Sequence, residues 1–336
     1  MISLHSKIET WPIAGEFRIS RSRLTKITVV TVEAKYGKLS GFGECRPYSR
    51  YNETPELICA QIASLNDKWD SLNIDTLQNY LPAGAARNAV DCALWDLKAQ
   101  RELKSVPEMM ALEPAKAVRT AYTLSIDTPP MMQAAAVNAE DYTLLKIKIS
   151  DLYQGISAAK AVMDARPDVE LIIDANEALS FEQTVELRDA LSHFPVLIVE
   201  QPLHAETSNV SFDPKCLPII CADESLHTSE DLVTLWREGY RAVNIKLDKT
   251  GGLTEAARLI KQAKSMGFVI MLGCMVGTSL AIAPAMYLSR YADIVDLDGP
   301  VLLSKDRAVS MRYENGCVFP PPLELWGNPR GKRRQL

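Results

Sequence analysis

From about residue 116 onward, short apolar runs recur at a nearly constant interval, and this restricts the fold more than any other feature. The runs are Val118–Leu124, Thr143–Ile149, Val169–Ile173, Val196–Val199, Ile219–Ala222, Ala242–Ile245, Val269–Leu272 and Asp293–Leu297. Each begins roughly 20–30 residues after the last, the length of a strand, a helix and two short loops. Eight such units in succession close into a barrel of parallel strands more readily than they spread into an open sheet. The last run leads through Gly299-Pro300 into an irregular tail, so no final helix is expected.

The residues before this array follow a different pattern. Ile27-Thr-Val-Val-Thr-Val-Glu33 is β-branched and alternating, and Tyr36 to Glu44 follows like a turn and a second hairpin arm. Phe17 to Arg23 and Cys45 to Asn52 have no strong periodicity and read as loops. From Thr54 the spacing becomes helical, with Pro55 suited to a first turn and Leu57, Ile58, Ile62 and Leu65 on a stripe. Ala85 to Lys98 is a strong, alanine-rich helix. The expected division is an α+β domain over 1–112, a barrel over 113–308, and a closing segment over 309–336 packed back on the first domain.

The 336 residues can bury a large core. With 42 acidic and 37 basic side chains the net charge is −5, which argues against a nucleic-acid-binding domain. Seven cysteines, an odd number with no CxxC pair, read as reduced core residues. No apolar signal segment opens the chain, and no stretch of about 18 apolar residues could span a membrane. A cytoplasmic protein is expected, with a homo-oligomer left open. The basic Gly331–Leu336 reads as a solvated tail.

The chemistry gathers where the runs end. The second ends in Lys146-Ile-Lys148, the third in Asp174-Ala-Asn176, the fourth in Glu200-Gln-Pro202 and the fifth in Asp223-Glu224. The sixth ends in Lys246 and the eighth in Asp296-Leu-Asp298. Side chains at the C-terminal ends of barrel strands share one mouth, where barrel enzymes keep their chemistry. Asp174, Glu200 and Asp223 therefore become neighbours, and three carboxylates together repel unless a cation joins them. Oxygen ligands favour a hard divalent ion, with one Mg2+ per subunit the default. Asn176 shares the face of Asp174 and would support the ligands.

Strands two and six lie on opposite sides of an eight-stranded ring, so Lys148 and Lys246 would flank whatever the ion holds. A lysine near a divalent cation and a second lysine should lose its proton more easily and could serve as a base near neutral pH. The ion would acidify a C–H beside a bound carboxylate. One lysine could remove that proton while the other returns one to the opposite face, inverting the carbon. Two opposed bases suit 1,1-proton transfer; β-elimination needs only one.

These residues resemble the enolase superfamily, and within it the muconate-lactonising subgroup, through Lys146-Ile-Lys148, Asp174, Glu200-Gln-Pro202, Asp223-Glu224 and Lys246. The helix Ala89 to Lys98 is similar to the capping domain of that family. The resemblance implies a (β/α)7β modified TIM barrel under an N-terminal α+β cap, whose loops near 17–24 and 46–52 close over the substrate.

The Asp-x-Asp that ends strand eight is similar to dipeptide epimerases, in which such a pair holds the α-ammonium of the dipeptide. Asp296 and Asp298 share a strand face and could both reach one ammonium. On this resemblance Lys146 contacts substrate, and Arg21, Arg23 or Arg50 of the cap loops grips a side-chain carboxylate bidentately. An L-Ala-L-Glu-type dipeptide fits those charges, with a role in murein peptide metabolism. The alternatives are o-succinylbenzoate synthase, N-succinylamino acid racemase, or a non-catalytic barrel retaining the site as a relic. The Leu325-Trp-Gly-Asn328 ending departs from the glycine-rich ending expected of the family.

Overall fold

The structure, a computed structural model, describes residues 2–19, 22–68 and 70–329. Its first unit is an antiparallel sheet of β1 (Ile2–Ile19), β2 (Ser22–Tyr36) and β3 (Leu39–Cys45), in that order. The expected loop over Phe17–Arg23 is instead strand on both sides: Phe17 pairs with Leu24 and Arg18 with Arg23. The sequence lacks alternation there because the register shifts between Pro12 and Phe17, which breaks the period-two signal.

The helix Ala85–Glu102 lies across this sheet. A Cβ on Gly41 would strike the backbone of Ala93 and Leu97, and one on Gly43 the backbone of Ala89. Glycines on the strand facing alanines on the helix thus set the close approach, and they explain why this helix is so rich in alanine. Ahead of it, Thr54 caps the helix Pro55–Ser64 by accepting from the Leu57 N–H.

The eight runs form one parallel sheet of β5 (Tyr122–Leu124), β6 (Leu144–Lys148), β7 (Glu170–Asp174), β8 (Val196–Glu200), β9 (Ile219–Ala222), β10 (Ala242–Ile245), β11 (Val269–Gly273) and β12 (Ile294–Asp296). The Ala121 N–H donates to the Val295 carbonyl at 2.8 Å and closes the ring. The first run proves to be two elements. Val118–Arg119 (β4) pairs with Cys317–Val318 (β14), which in turn pairs with Tyr313–Glu314 (β13), in a separate small sheet.

Inside the barrel lies a ring of one buried side chain from each strand position: Ala121, Leu144, Ile172, Ile198, Cys221, Ala242, Met271 and Ile294. Helices follow most strands, but residues 201–218, between β8 and β9, hold turns in place of a helix, and Pro202, Pro214 and Pro218 interrupt that stretch. As expected, only a 3-10 turn, Gly299–Leu302, follows β12.

The cap is fastened to the barrel at several points. Arg87 donates to the carbonyls of Thr250 (2.7 Å) and Gly251 (3.2 Å), and Asp91 accepts from the Thr254 N–H (3.1 Å). Glu44 accepts from the Thr278 N–H (2.8 Å) and pairs with Arg307 (2.6 Å). Near the end of the chain, Trp326 is fully buried with its indole N–H on the Phe42 carbonyl at 2.8 Å, and the Gly327 N–H meets Asp96 Oδ1 at 2.8 Å.

Candidate active site

The alternation of a strand carries the ring of apolar side chains upward into the mouth. Two residues beyond Leu144, Ile172, Ile198, Cys221 and Ile294, on the same faces, stand Lys146, Asp174, Glu200, Asp223 and Asp296. A further step of two gives Lys148, Asn176 and Asp298, while Asn244 and Lys246 climb from Ala242. The register agrees, with Lys148 opposite Asp174 and Asp174 opposite Glu200. All of these side chains are buried.

Ammonium groups and carboxylates interleave. Lys146 Nζ lies 3.0 Å from Asp174 Oδ2, 2.7 Å from Glu200 Oε2 and 2.9 Å from Asp296 Oδ2. Lys148 Nζ lies 2.5 Å from Asp174 Oδ2 and 3.2 Å from Asn176 Oδ1. Across the ring, Lys246 Nζ lies 2.6 Å from Asp223 Oδ2. Burial works against charge throughout, but the lysines outweigh it at Asp174 and Asp223, whose carboxyls are held well below their usual range. Glu200 goes the other way: burial, with the adjacent Asp174, pushes its carboxyl above the usual range. Burial also pulls at Lys246, but Asp223 reverses the effect and raises its affinity for a proton. The easier loss expected from sequence therefore does not hold for this lysine among these carboxylates alone.

Among the described residues, no three acidic, thiol or imidazole side chains are gathered at metal-ligand spacing, because ammonium groups stand between the acids. The donor chemistry nonetheless fits a hard cation. Glu200 Oε2 and Asp223 Oδ1 are buried and accept no hydrogen bond, held by charge alone to Lys146 (2.7 Å) and Lys249 (2.6 Å). A divalent ion between Asp174, Glu200 and Asp223 would satisfy those oxygens and relieve the repulsion that raises Glu200.

A cavity of about 390 Å³ sits above this floor. Lys146, Lys148, Asn176, Asp223, Lys246, Asp296 and Asp298 line it from the barrel, and Phe17, Leu24, Lys26, Arg46 and Tyr51 from the cap. The structure brings neither Arg23 nor Arg50 to its wall. Arg23 pairs with Glu16, and Arg50 grips Glu177 with two hydrogen bonds of 2.8 and 2.9 Å. Arg21 lies outside the described residues, as does the basic tail from Gly331. Asp298 Oδ2 accepts from the Thr123 N–H at 2.7 Å, and burial beside Asp296 raises its carboxyl above the usual range.

The structure adds Asn244 and Arg46 to the site and decides the place of Lys249. Lys249, which the sequence leaves as either a supporting or a surface group, is fully buried and holds Asp223; a single helical turn, Leu247–Thr250, follows Lys246 and carries it. Asn244 donates to Glu200 Oε1 at 2.8 Å, and its place two residues before Lys246 could have shown this. Gly273 on the neighbouring strand makes room for it, since a Cβ there would lie 2.5 Å from Asn244 Oδ1. Arg46 sits in an irregular stretch where no periodicity could point to it.

Comparison with known proteins places this arrangement in a family. Residues 1–111 match the mandelate racemase / muconate lactonizing enzyme N-terminal domain, and residues 131–323 match the enolase C-terminal domain-like family. The chain belongs to the enolase superfamily, in its mandelate racemase / muconate lactonizing branch. It is 40% identical to the L-Ala-D/L-Glu epimerase of Escherichia coli (strain K12), over 92% of this chain and 96% of that protein. It is 42% identical to an N-acetyl-D-glutamate racemase of Pseudoalteromonas sp, over 88% of this chain and 93% of that protein. Among solved structures it superposes with a TM-score of 0.91, at 40% identity and over 97% and 100% of the two chains, on an enolase family member from Agrobacterium tumefaciens with homology to dipeptide epimerases. That protein is described with bound sodium and L-Ala-L-Glu. A dipeptide epimerase from Enterococcus faecalis V583 at 25% identity and TM-score 0.86 over 96% of this chain and 97% of that one is described with Mg and L-Leu-L-Tyr.

Proposed function

We propose that the chain is an isomerase that inverts the α-carbon of the C-terminal residue of L-Ala-L-Glu-type dipeptides by two-base proton transfer, with Mg2+ held by Asp174, Glu200 and Asp223. The observation that carries this reading is the opposition of Lys148 and Lys246. They rise from the second and sixth strands of the ring, each against a carboxylate of the proposed ion site, at 2.5 and 2.6 Å. A substrate α-carbon between them would present one face to each amine.

A bound divalent cation supplies charge that acidifies the α-C–H of a carboxylate and eases proton loss from the nearby lysines. The chain's own residues do the rest. Whichever lysine is neutral takes the α-proton from its side. The opposing ammonium delivers a proton to the other face, so one turnover exchanges the roles of the two amines. Asp174 and Asp223 hold these amines in place, and burial keeps bulk water from quenching the carbanionic carbon. Asp296 and Asp298 provide the negative end for a free α-ammonium. The cytoplasm and murein peptide metabolism form the setting of this reading.

A second reading has its own support. The 42% identical relative is named for an N-acetylated amino acid, whose nitrogen carries no charge. In this structure the Asp296 carboxylate is already answered by Lys146 at 2.9 Å. Both readings share a glutamyl α-carbon and differ at the nitrogen. The experiment is to incubate the enzyme with Mg2+ in D2O and follow the α-proton by NMR on L-Ala-L-Glu and N-acetyl-L-glutamate. Exchange and inversion of the dipeptide are expected. Turnover of the acetylated compound alone would select the second reading, and exchange of neither would overturn both.

A further inference from the structure

We propose that Arg46 is the residue that recognises the second carboxylate of the substrate, and that it sets the preference for a glutamyl over a neutral side chain. The inference rests on the glutamyl reading above and holds for either nitrogen substituent.

Arg46 follows β3, whose end is fixed because Glu44 is bound by Thr278 and Arg307. The Arg46 N–H donates to Asp248 Oδ1 at 3.0 Å, and Nη1 donates to the Val276 carbonyl at 3.2 Å. The residue is thus clamped between the loops that follow β10 and β11, on the wall of the cavity that also holds Lys148, Lys246 and Asp298. Beyond that one carbonyl the guanidinium makes no hydrogen bond or ion pair among the described residues, and Asp248 acts on it only through its charge. Its Nε and Nη2, the edge that grips a carboxylate with two parallel hydrogen bonds, are unused.

The other described arginines of the cap loops differ in this respect. Arg18 and Arg23 both pair with Glu16, and Arg50 with Glu177. Arg46 is half-buried, and the one carboxylate acting on it is Asp248, whose own carboxyl burial pushes up to about 7. Burial still outweighs that partner and lowers the proton affinity of the guanidinium. Such a cost of burial persists where a ligand relieves it. The ligand must be anionic and planar, and it must enter with its α-carboxylate already committed to the floor. The side-chain carboxylate of a glutamyl residue meets these demands, and a glutamine amide, with no charge, does not. Lys26 on the same wall is exposed and adds a solvated charge, which attracts an anion without orienting it.

The test compares L-Ala-L-Glu with L-Ala-L-Gln in calorimetric binding and in α-proton exchange, on the wild type, Arg46→Met and Arg46→Lys. The wild type is expected to favour L-Ala-L-Glu. Arg46→Met should lower that preference about 30-fold, through KM and Kd, while L-Ala-L-Gln stays within about threefold of wild type. Arg46→Lys, which keeps the charge but not the fork, should fall between and guards against a Met variant that fails to fold. An unchanged preference, an equal loss on both peptides, or no preference in the wild type overturns the assignment. Wild-type binding preference without any proton exchange would sink the catalytic reading and leave the Arg46 assignment standing. Exchange with a preference unmoved by Arg46→Met would do the reverse.

Discussion

The floor and the roof of the cavity hold their charges by different means. On the floor, Lys146, Lys148, Asp174, Glu200 and Asp296 stand on strands of the barrel and their charges join into one network: Lys146 meets three carboxylates, and Asp174 and Glu200 each meet two ammonium groups. On the roof, charges form small local groups, Arg18 and Arg23 with Glu16 on the paired strands and Arg50 in a 3-10 turn with Glu177. The shared network makes the floor insensitive to which oxygen bonds which ammonium, but intolerant of losing a member, because a buried charge would then be left unmatched. The roof can lose one group without disturbing the next. On the proposed reading the floor moves the proton and the roof chooses and retains the ligand.

The largest effect should come from breaking the floor. Lys148→Ala and Lys246→Ala should each lower kcat for inversion by about 1000-fold or more. Each variant should keep α-proton exchange with only one epimer, because the surviving amine still reaches its own face. NMR in D2O on separate L,L and L,D substrates reads this, and exchange of both epimers by either variant would break the opposition of the two lysines.

A smaller, selective effect is expected at the edge of the floor. Asp298→Asn should cost roughly 10- to 100-fold in kcat/KM on dipeptides with a free amine and much less on N-acetyl-L-glutamate, since only the former brings a cation to pair. Equal losses on the two would show that Asp298 acts through the packing around Thr123 and not through an ammonium.

The smallest change belongs to the roof. Arg50→Ala frees a turn that is also held by the edge-on contact of Tyr51 with His227, whose ring centroids lie 4.8 Å apart. KM should rise by up to about tenfold with kcat nearly unchanged. A fall in kcat as deep as that of the lysine variants would erase the distinction between the two regions.

The same difference governs what could be read from the chain. Period-two alternation and the barrel interval put Lys148 and Lys246 across from each other and gathered Asp174, Glu200 and Asp223, because strand geometry is periodic and leaves a pattern in the sequence. Turns leave none. Arg50, in a 3-10 turn, and Arg23, on a strand whose period is hidden by the shifted register, read as substrate contacts because the sequence does not show that Glu177 and Glu16 lie within reach of them. The first run hid its division into β4 and β5 because an apolar stretch looks the same whether it serves one sheet or two. The place of Lys249 stays open in the sequence because a short helical turn, Leu247–Thr250, follows the strand and breaks its period of two.

The fastenings between the two domains have a consequence for traffic. Arg87 and Asp91 bind the backbone beside the helix Leu253–Ser265, and Arg307 joins Glu44 to Glu9, so the cap is bolted to the barrel along its length. A swinging hinge between the domains would have to undo all of these bolts for each molecule admitted. An opening that keeps these bolts in place has to come from the cap segments over the cavity, and at one of them, Ser49–Tyr51, Arg50 is tied to Glu177.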